Sequence, residues 1–179
     1  MKNKGFTLVE LLAVIVILGI LITIAVPSML GVSKNVKEKS YTSKIDLIES
    51  AAVIYGEKNS IDILKEMISK KSAASGNKVW IKVTDDSITS VDATDTGAYP
   101  AVKTTVAMLV GTGNLSWDKE DQCSDDSTQC KDYKNVIINP VNNKVINKCE
   151  VFIYYRNNRV YAKFNRDGCK SIESTNPYK

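Results

Sequence analysis

The feature that most constrains this chain lies near its start. From Phe6 to Leu30 it reads FTLVELLAVIVILGILITIAVPSML, in which Thr7, Glu10, Thr23 and Ser28 are the only polar side chains. As a helix, Phe6 to Pro27 would extend about 33 Å at about 1.5 Å per residue, which matches a hydrocarbon core about 30 Å thick. Lys2 and Lys4 precede the run, so the bias of basic charge keeps the short N-terminus in the cytoplasm and exports the rest. The run exceeds the usual apolar region of a secretory signal and contains an early acid, which favours an anchor over a cleaved signal. Glu10 is the anomaly. A carboxylate in hydrocarbon costs about 2.5–3.5 kcal/mol on insertion scales, so it needs a partner.

At KGFTLVE the sequence resembles the type IV pilins. The resemblance is close from Lys4 to about Leu30 and looser along the helix that follows; beyond about Asn59 no motif is recognisable. It implies a leader, residues 1–5, cut after Gly5 by a prepilin peptidase, and a new terminus at Phe6 that is then N-methylated. It also implies that Glu10 pairs with the amino terminus of a neighbouring subunit during assembly. Glu10 lies one helical turn from that terminus, and a buried carboxylate and a buried ammonium would neutralise each other. Gly19 and Pro27 stand where the family carries a glycine and a proline. Proline lacks an N–H and clashes with the carbonyl four residues earlier, here that of Thr23, and glycine weakens a helix by about 1 kcal/mol relative to alanine. The resemblance implies that this stretch extends when subunits pack.

The helix is expected to continue to Tyr55 or Lys58. Tyr41, Ile45, Ile48, Ala52 and Tyr55 recur at helical spacing, an amphipathic stripe that Leu47, Ala51 and Ile54 widen. Gly56 and Asn59 mark its end, and Ser60 is placed to cap a short second helix, IDILKEMISKK. Gly76-Asn77 reads as a turn before the strand VWIKV, and Asp85 to Tyr99, rich in Asp, Ser, Thr and Gly, reads as a loop. KTTVAMLVGTGNL reads as a helix stopped near Gly111; pilins of Gram-positive bacteria carry a similar one. The strongest strand signal is CEVFIYY and RVYAKF around Asn157-Asn158, a pair that tolerates the positive φ of a two-residue hairpin turn. With Arg156 facing Arg159, the pairs Tyr155–Val160, Ile153–Ala162 and Val151–Phe164 share one face; Phe152, Tyr154, Tyr161 and Lys163 take the other. KNVII and KVINK could add antiparallel pairing.

Cys123, Cys130, Cys149 and Cys169 are an even set on an exported domain and lack the spacing of a zinc site. Disulfides are the reading, in any of three connectivities. Cys123–Cys130 with Cys149–Cys169 is favoured because the second pair would close the hairpin region. The acids Asp85, Asp86, Asp92 and Asp95, and then Asp118, Glu120, Asp121, Asp125 and Asp126, fit neither an EF-hand nor a hydrolase pair and read as solvated loops. GTGN lacks the Lys-Ser/Thr of a phosphate loop. The chain has no histidine, the commonest general base. Its 24 basic and 20 acidic residues give +4, and loss of Lys2 and Lys4 leaves +2, too little to argue for nucleic acid. Charge is nevertheless uneven. Residues 144–170 hold seven basic and two acidic residues among Phe152, Tyr154, Tyr155 and Tyr161, a surface that offers contacts to DNA or an anionic glycan.

These readings converge on an α+β chain: a long N-terminal helix, its apolar half at 6–30 and its amphipathic half at 31–58, packed on a small antiparallel sheet in a head at 59–179. The resemblance implies a structural subunit of a type IV pilus, with no catalytic role, no cofactor and no metal. Its partners would be copies of itself or other pilins, the prepilin peptidase, the assembly machinery and, before assembly, the cytoplasmic membrane. A surface or DNA ligand would be a further partner of the extracellular filament, which serves adhesion, motility, biofilm formation or DNA uptake. A pseudopilin of a type II secretion or competence system is the alternative. A membrane-tethered binding or enzymatic domain is the alternative of another class, and no catalytic constellation supports it.

Overall fold

The computed structural model describes residues 7–84, 87–120 and 135–172, and their side chains except at 23–31 and 119–120. The chain divides into two compact units, Met1–Ser40 and Tyr41–Lys179.

The first unit is the start of helix α1 (Leu8–Asn59). Leu8, Val9, Leu11, Leu12 and the apolar residues on to Ile22 are all exposed, from Leu8 at 79% to Val14 at 46%. α1 is helical through both Gly19 and Pro27. Among the described residues, no helix is long and apolar enough to cross a membrane.

The second unit is built on a five-stranded antiparallel sheet. Its strands are β1 (Lys78–Val83), β2 (Ile88–Val91), β3 (Tyr99–Thr105), β6 (Glu150–Arg156) and β7 (Arg159–Phe164), in the order β2-β1-β3-β6-β7. A two-stranded ladder pairs β4 (Lys119–Glu120) with β5 (Asn135–Val136). Helices α2 (Ile61–Lys70), α3 (Val106–Gly111) and α4 (Arg166–Ile172) complete the head. The β6–β7 hairpin has the expected register, from Arg156↔Arg159 to Val151↔Phe164. Asn157 and Asn158 turn it at φ 48° and 64°, values that asparagine tolerates better than most residues.

The stripe on α1 meets one face of this sheet. Ile45, Ile48 and Ala52 are buried with Val151, Ile153, Val160 and Phe164 in the main core, and Tyr41 and Tyr55 pack against it. Two of the residues expected to widen the stripe do not. Leu47 is 64% exposed and Ile54 48%; seven residues apart, they lie two turns along the side of α1 turned from the sheet. Gly56 does not end the helix, which runs three residues further. It is buried, and a Cβ built there would lie 2.4 Å from Ile153 Cγ2 and 3.0 Å from Val160 Cγ1. The glycine is what lets α1 approach the sheet. Side chains pin the same helix: the Glu49 carboxylate accepts from Phe164 N–H at 2.9 Å, and Lys44 pairs with Asp118 while donating to the Ile138 carbonyl at 2.8 Å.

Other expectations need correction. The Asp85–Tyr99 stretch contains β2, and Asp85 and Asp86 lie outside the described residues. The helix expected over KTTVAMLVGTGNL is shorter, because Lys103, Thr104 and Thr105 finish β3 and the Thr105 hydroxyl then caps α3 through Met108 N–H. Ser60 stands at the N-cap of α2 but makes no side-chain capping bond. The second face of the sheet is not simply solvated. Phe152 and Tyr154 are buried with Ile81 and Ala101 in a smaller core, with Val79, Val83, Ile88 and Tyr99 packed against it. KNVII and KVINK pair only at the bridge Ile138↔Val145. The buried Asn147 fastens them, its Oδ1 accepting from Ile137 N–H at 2.8 Å and its Nδ2 donating to the Asn135 carbonyl at 2.9 Å.

Candidate functional site

Glu10 was expected to await its partner; in the single chain it already has one. The Glu10 carboxylate accepts from Thr7 N–H at 2.9 Å and from the Thr7 hydroxyl at 2.8 Å, and the Thr7 Oγ1 accepts from Glu10 N–H at 3.3 Å. This is a capping box, in which an N-cap Thr and an acid three residues on satisfy each other's backbone donors. An acid in the first turn also faces the positive end of the helix dipole. Thr7 is the residue that sequence reasoning missed, although T-x-x-E ahead of an apolar run was there to be read.

Around this box the chain offers no core for the apolar side chains. From Leu8 to Ile22 they project on every side of α1, and a helix apolar all round is stable only inside lipid or protein. Gly19 has nothing within 4 Å of where a Cβ would stand, so backbones could approach closely there. Pro27 lies within α1. Gly5 and Phe6 lie outside the described residues.

The head carries the disulfide Cys149–Cys169, with a Cα–Cα distance of 4.8 Å, joining the start of β6 to α4. Both cysteines are fully buried. Cys123 and Cys130, and with them Asp121, Asp125 and Asp126, lie outside the described residues. The Asp95 carboxylate accepts from Asp92 N–H at 3.0 Å, so that pair closes a turn. Asp118 is engaged by Lys44 and by Ile138 N–H at 2.7 Å. Among the described residues no group of His, Cys, Asp and Glu could hold a metal ion.

An all-round apolar helix opened by a Thr–Glu box defines a class of N-terminus, and residues 1–26 match the prokaryotic N-terminal methylation motif. The chain is also similar to the type II secretion system core protein G of Vibrio cholerae, 38% identical over 60 residues, 34% of this chain and 41% of that protein. It is 37% identical over 54 residues to the core protein G of Escherichia coli K12, covering 30% of this chain and 37% of that one. The type IV narrow pilus major component PilA5 of Thermus thermophilus is 41% identical over 54 residues, 30% of this chain and 47% of that protein. The chain thus spans less than half the length of these curated relatives. No solved structure matches the chain.

Proposed function

We propose that this chain is a structural subunit of a type IV pilus, processed after Gly5, methylated at Phe6 and polymerised through its N-terminal helix. The observation that carries the reading is the exposed apolar surface from Leu8 to Ile22, which needs lipid before assembly and packed helices after it. In this reading 1–5 is the leader, 6–30 the membrane and polymerisation segment, 31–58 the stem and 59–179 the head. Leu47 and Ile54 add apolar contact for neighbouring copies. Assembly exchanges one partner of Glu10 for another: its carboxylate turns from Thr7 towards the methylated terminus of a neighbour. Gly19 and Pro27 let the apolar stretch loosen as subunits pack.

The test is Glu10→Val in cells whose only copy is the variant. Insertion and cleavage should persist, since a charge leaves hydrocarbon, while filament number collapses, because an unpartnered buried ammonium costs about 3–5 kcal/mol. Normal filaments from the variant would remove the mechanism. A pseudopilin role has its own support, since the core protein G similarities belong to secretion systems. Deleting the gene separates the two: loss of surface filaments with secretion intact supports the pilus, and loss of secretion without filaments supports the pseudopilin.

A further inference from the structure

A cavity of about 440 Å³ opens in the head beside the β6–β7 turn, within the usual range of about 300–1,000 Å³ for small-ligand sites. Trp80, Tyr99 and Tyr155 form aromatic walls, and Lys71, Arg156 and the two turn asparagines supply its polar groups. Among the described residues, no acidic side chain lines it. Neither the Lys71 nor the Arg156 side chain has an ion pair or hydrogen bond among the described residues. The Arg156 guanidinium is instead held over the Tyr99 ring, 5.4 Å from its centroid, which pre-orients its fork of donors.

Two features at or beside the site are locally costly. Lys71 ends α2 at φ 44°, ψ 44°, a left-handed position that glycine would fill without strain. Arg159 stands directly across from Arg156 in the strand register, a like-charged pair that weakens a sheet. Asn157 and Asn158, which the hairpin turn holds at positive φ, line the same cavity as Lys71. The Asn158 Oδ1 accepts from the Tyr155 hydroxyl at 2.9 Å, which leaves its amide N–H groups to donate.

The ligand must therefore bring negative charge, hydroxyls and a compact apolar face. A nucleobase fits poorly, because Arg156 covers the Tyr99 face and Trp80 is only 6% exposed, whereas base binding needs open aromatic faces. We propose that this cavity binds a carboxylated sugar residue of an acidic glycan, with Arg156 and Lys71 taking the carboxylate and Asn157 and Asn158 the ring hydroxyls. The site does not depend on how copies of the chain assemble.

The experiment uses the full mature chain in detergent, titrated by calorimetry and saturation-transfer NMR. The probes are oligomers of galacturonate, glucuronate and mannuronate, and sialyllactose, each beside its methyl ester, with oligothymidylate as the nucleic-acid arm. At least one acidic sugar should bind, and its ester should bind at least about tenfold more weakly, as expected where charge-assisted hydrogen bonds are lost. Arg156→Gln and Lys71→Gly should each weaken binding by a similar factor, and Arg156→Lys should fall between wild type and Arg156→Gln. Lys71→Gly relieves the left-handed strain, so its loss of binding cannot come from misfolding. Failure of all four acidic sugars, equal binding of acid and ester, indifference to both variants, or preference for oligothymidylate would each overturn the proposal.

Discussion

Gly56→Ala is a test whose sign separates two roles for one residue. If Gly56 merely marked the end of α1, alanine would stabilise the helix by about 1 kcal/mol. The packing says otherwise. Carbon atoms rest about 3.5–4.0 Å apart, and the added Cβ would stand 2.4 Å from Ile153 Cγ2, more than 1 Å too close. Ile153 is β-branched and cannot easily rotate that methyl away, and Val160 Cγ1 closes the other side at 3.0 Å. α1 must then lift from the sheet, loosening Ile48 and Ala52 in the same core. Overpacking of this kind costs about 1–3 kcal/mol. Set against the propensity gain, the net loss should reach about 2 kcal/mol at most, a fall in Tm of up to about 8 °C for a head of this size. Urea unfolding of the chain in detergent, followed by circular dichroism and tryptophan fluorescence, measures it. In an Ile153→Ala background the same substitution should be neutral or stabilising, a coupling that a double-mutant cycle isolates. A raised midpoint for Gly56→Ala in the otherwise wild-type chain would refute the close-approach argument.

Reducing Cys149–Cys169, which spans 20 residues of sequence, should cost about 3 kcal/mol on chain-entropy grounds; non-reducing peptide mapping should recover the linked pair, and the urea midpoint should drop on reduction. Asn147→Ala leaves Ile137 N–H and the Asn135 carbonyl unpaired in a buried site, at about 1–3 kcal/mol for each group, and hydrogen exchange at Ile137 should accelerate. Burial pushes the Tyr154 hydroxyl above its ordinary pKa of 10.0, with Arg156 opposing the shift. The unfolded chain then ionises first, so this contribution to stability is full below about pH 10 and is lost as pH rises beyond it. Tyr154→Phe should flatten the alkaline fall in Tm.

The parts of this fold that could be read in advance are those where one local rule dominates. Asn157-Asn158 fixes a two-residue turn, and that turn fixes the register of every pair in β6–β7. The i, i+3, i+4 spacing of Ile45, Ile48 and Ala52 places the buried side of α1, and Cys149 and Cys169 were paired correctly because they bracket that hairpin. Where two rules compete, the reading failed. ITSV, now β2, is too short to outweigh the Asp, Ser and Gly around it. Lys103-Thr104-Thr105 carries no periodicity that separates a strand end from a helix start. Alternation places Phe152 and Tyr154 on the second face but cannot show that Ile81 and Ala101 of neighbouring strands bury them there. Leu47 and Ile54 are apolar without being core, which composition cannot distinguish. At the N-terminus the apolar run and Glu10 are plain, whereas the part played by Thr7, three residues away, follows only from the T-x-x-E spacing.

The bond from Phe164 N–H to Glu49 has a consequence for how such chains must avoid meeting. β7 is an outer strand, and an outer strand with free N–H and C=O groups is a template on which another strand can add. Here Glu49 occupies an outward donor at its end, Arg159 and Lys163 place positive charge along its length, and α4 follows directly. The opposite border, β2, has only four residues. Both borders of the sheet are therefore poor seeds for amyloid-like growth, a safeguard that would matter most wherever copies of the chain crowd together.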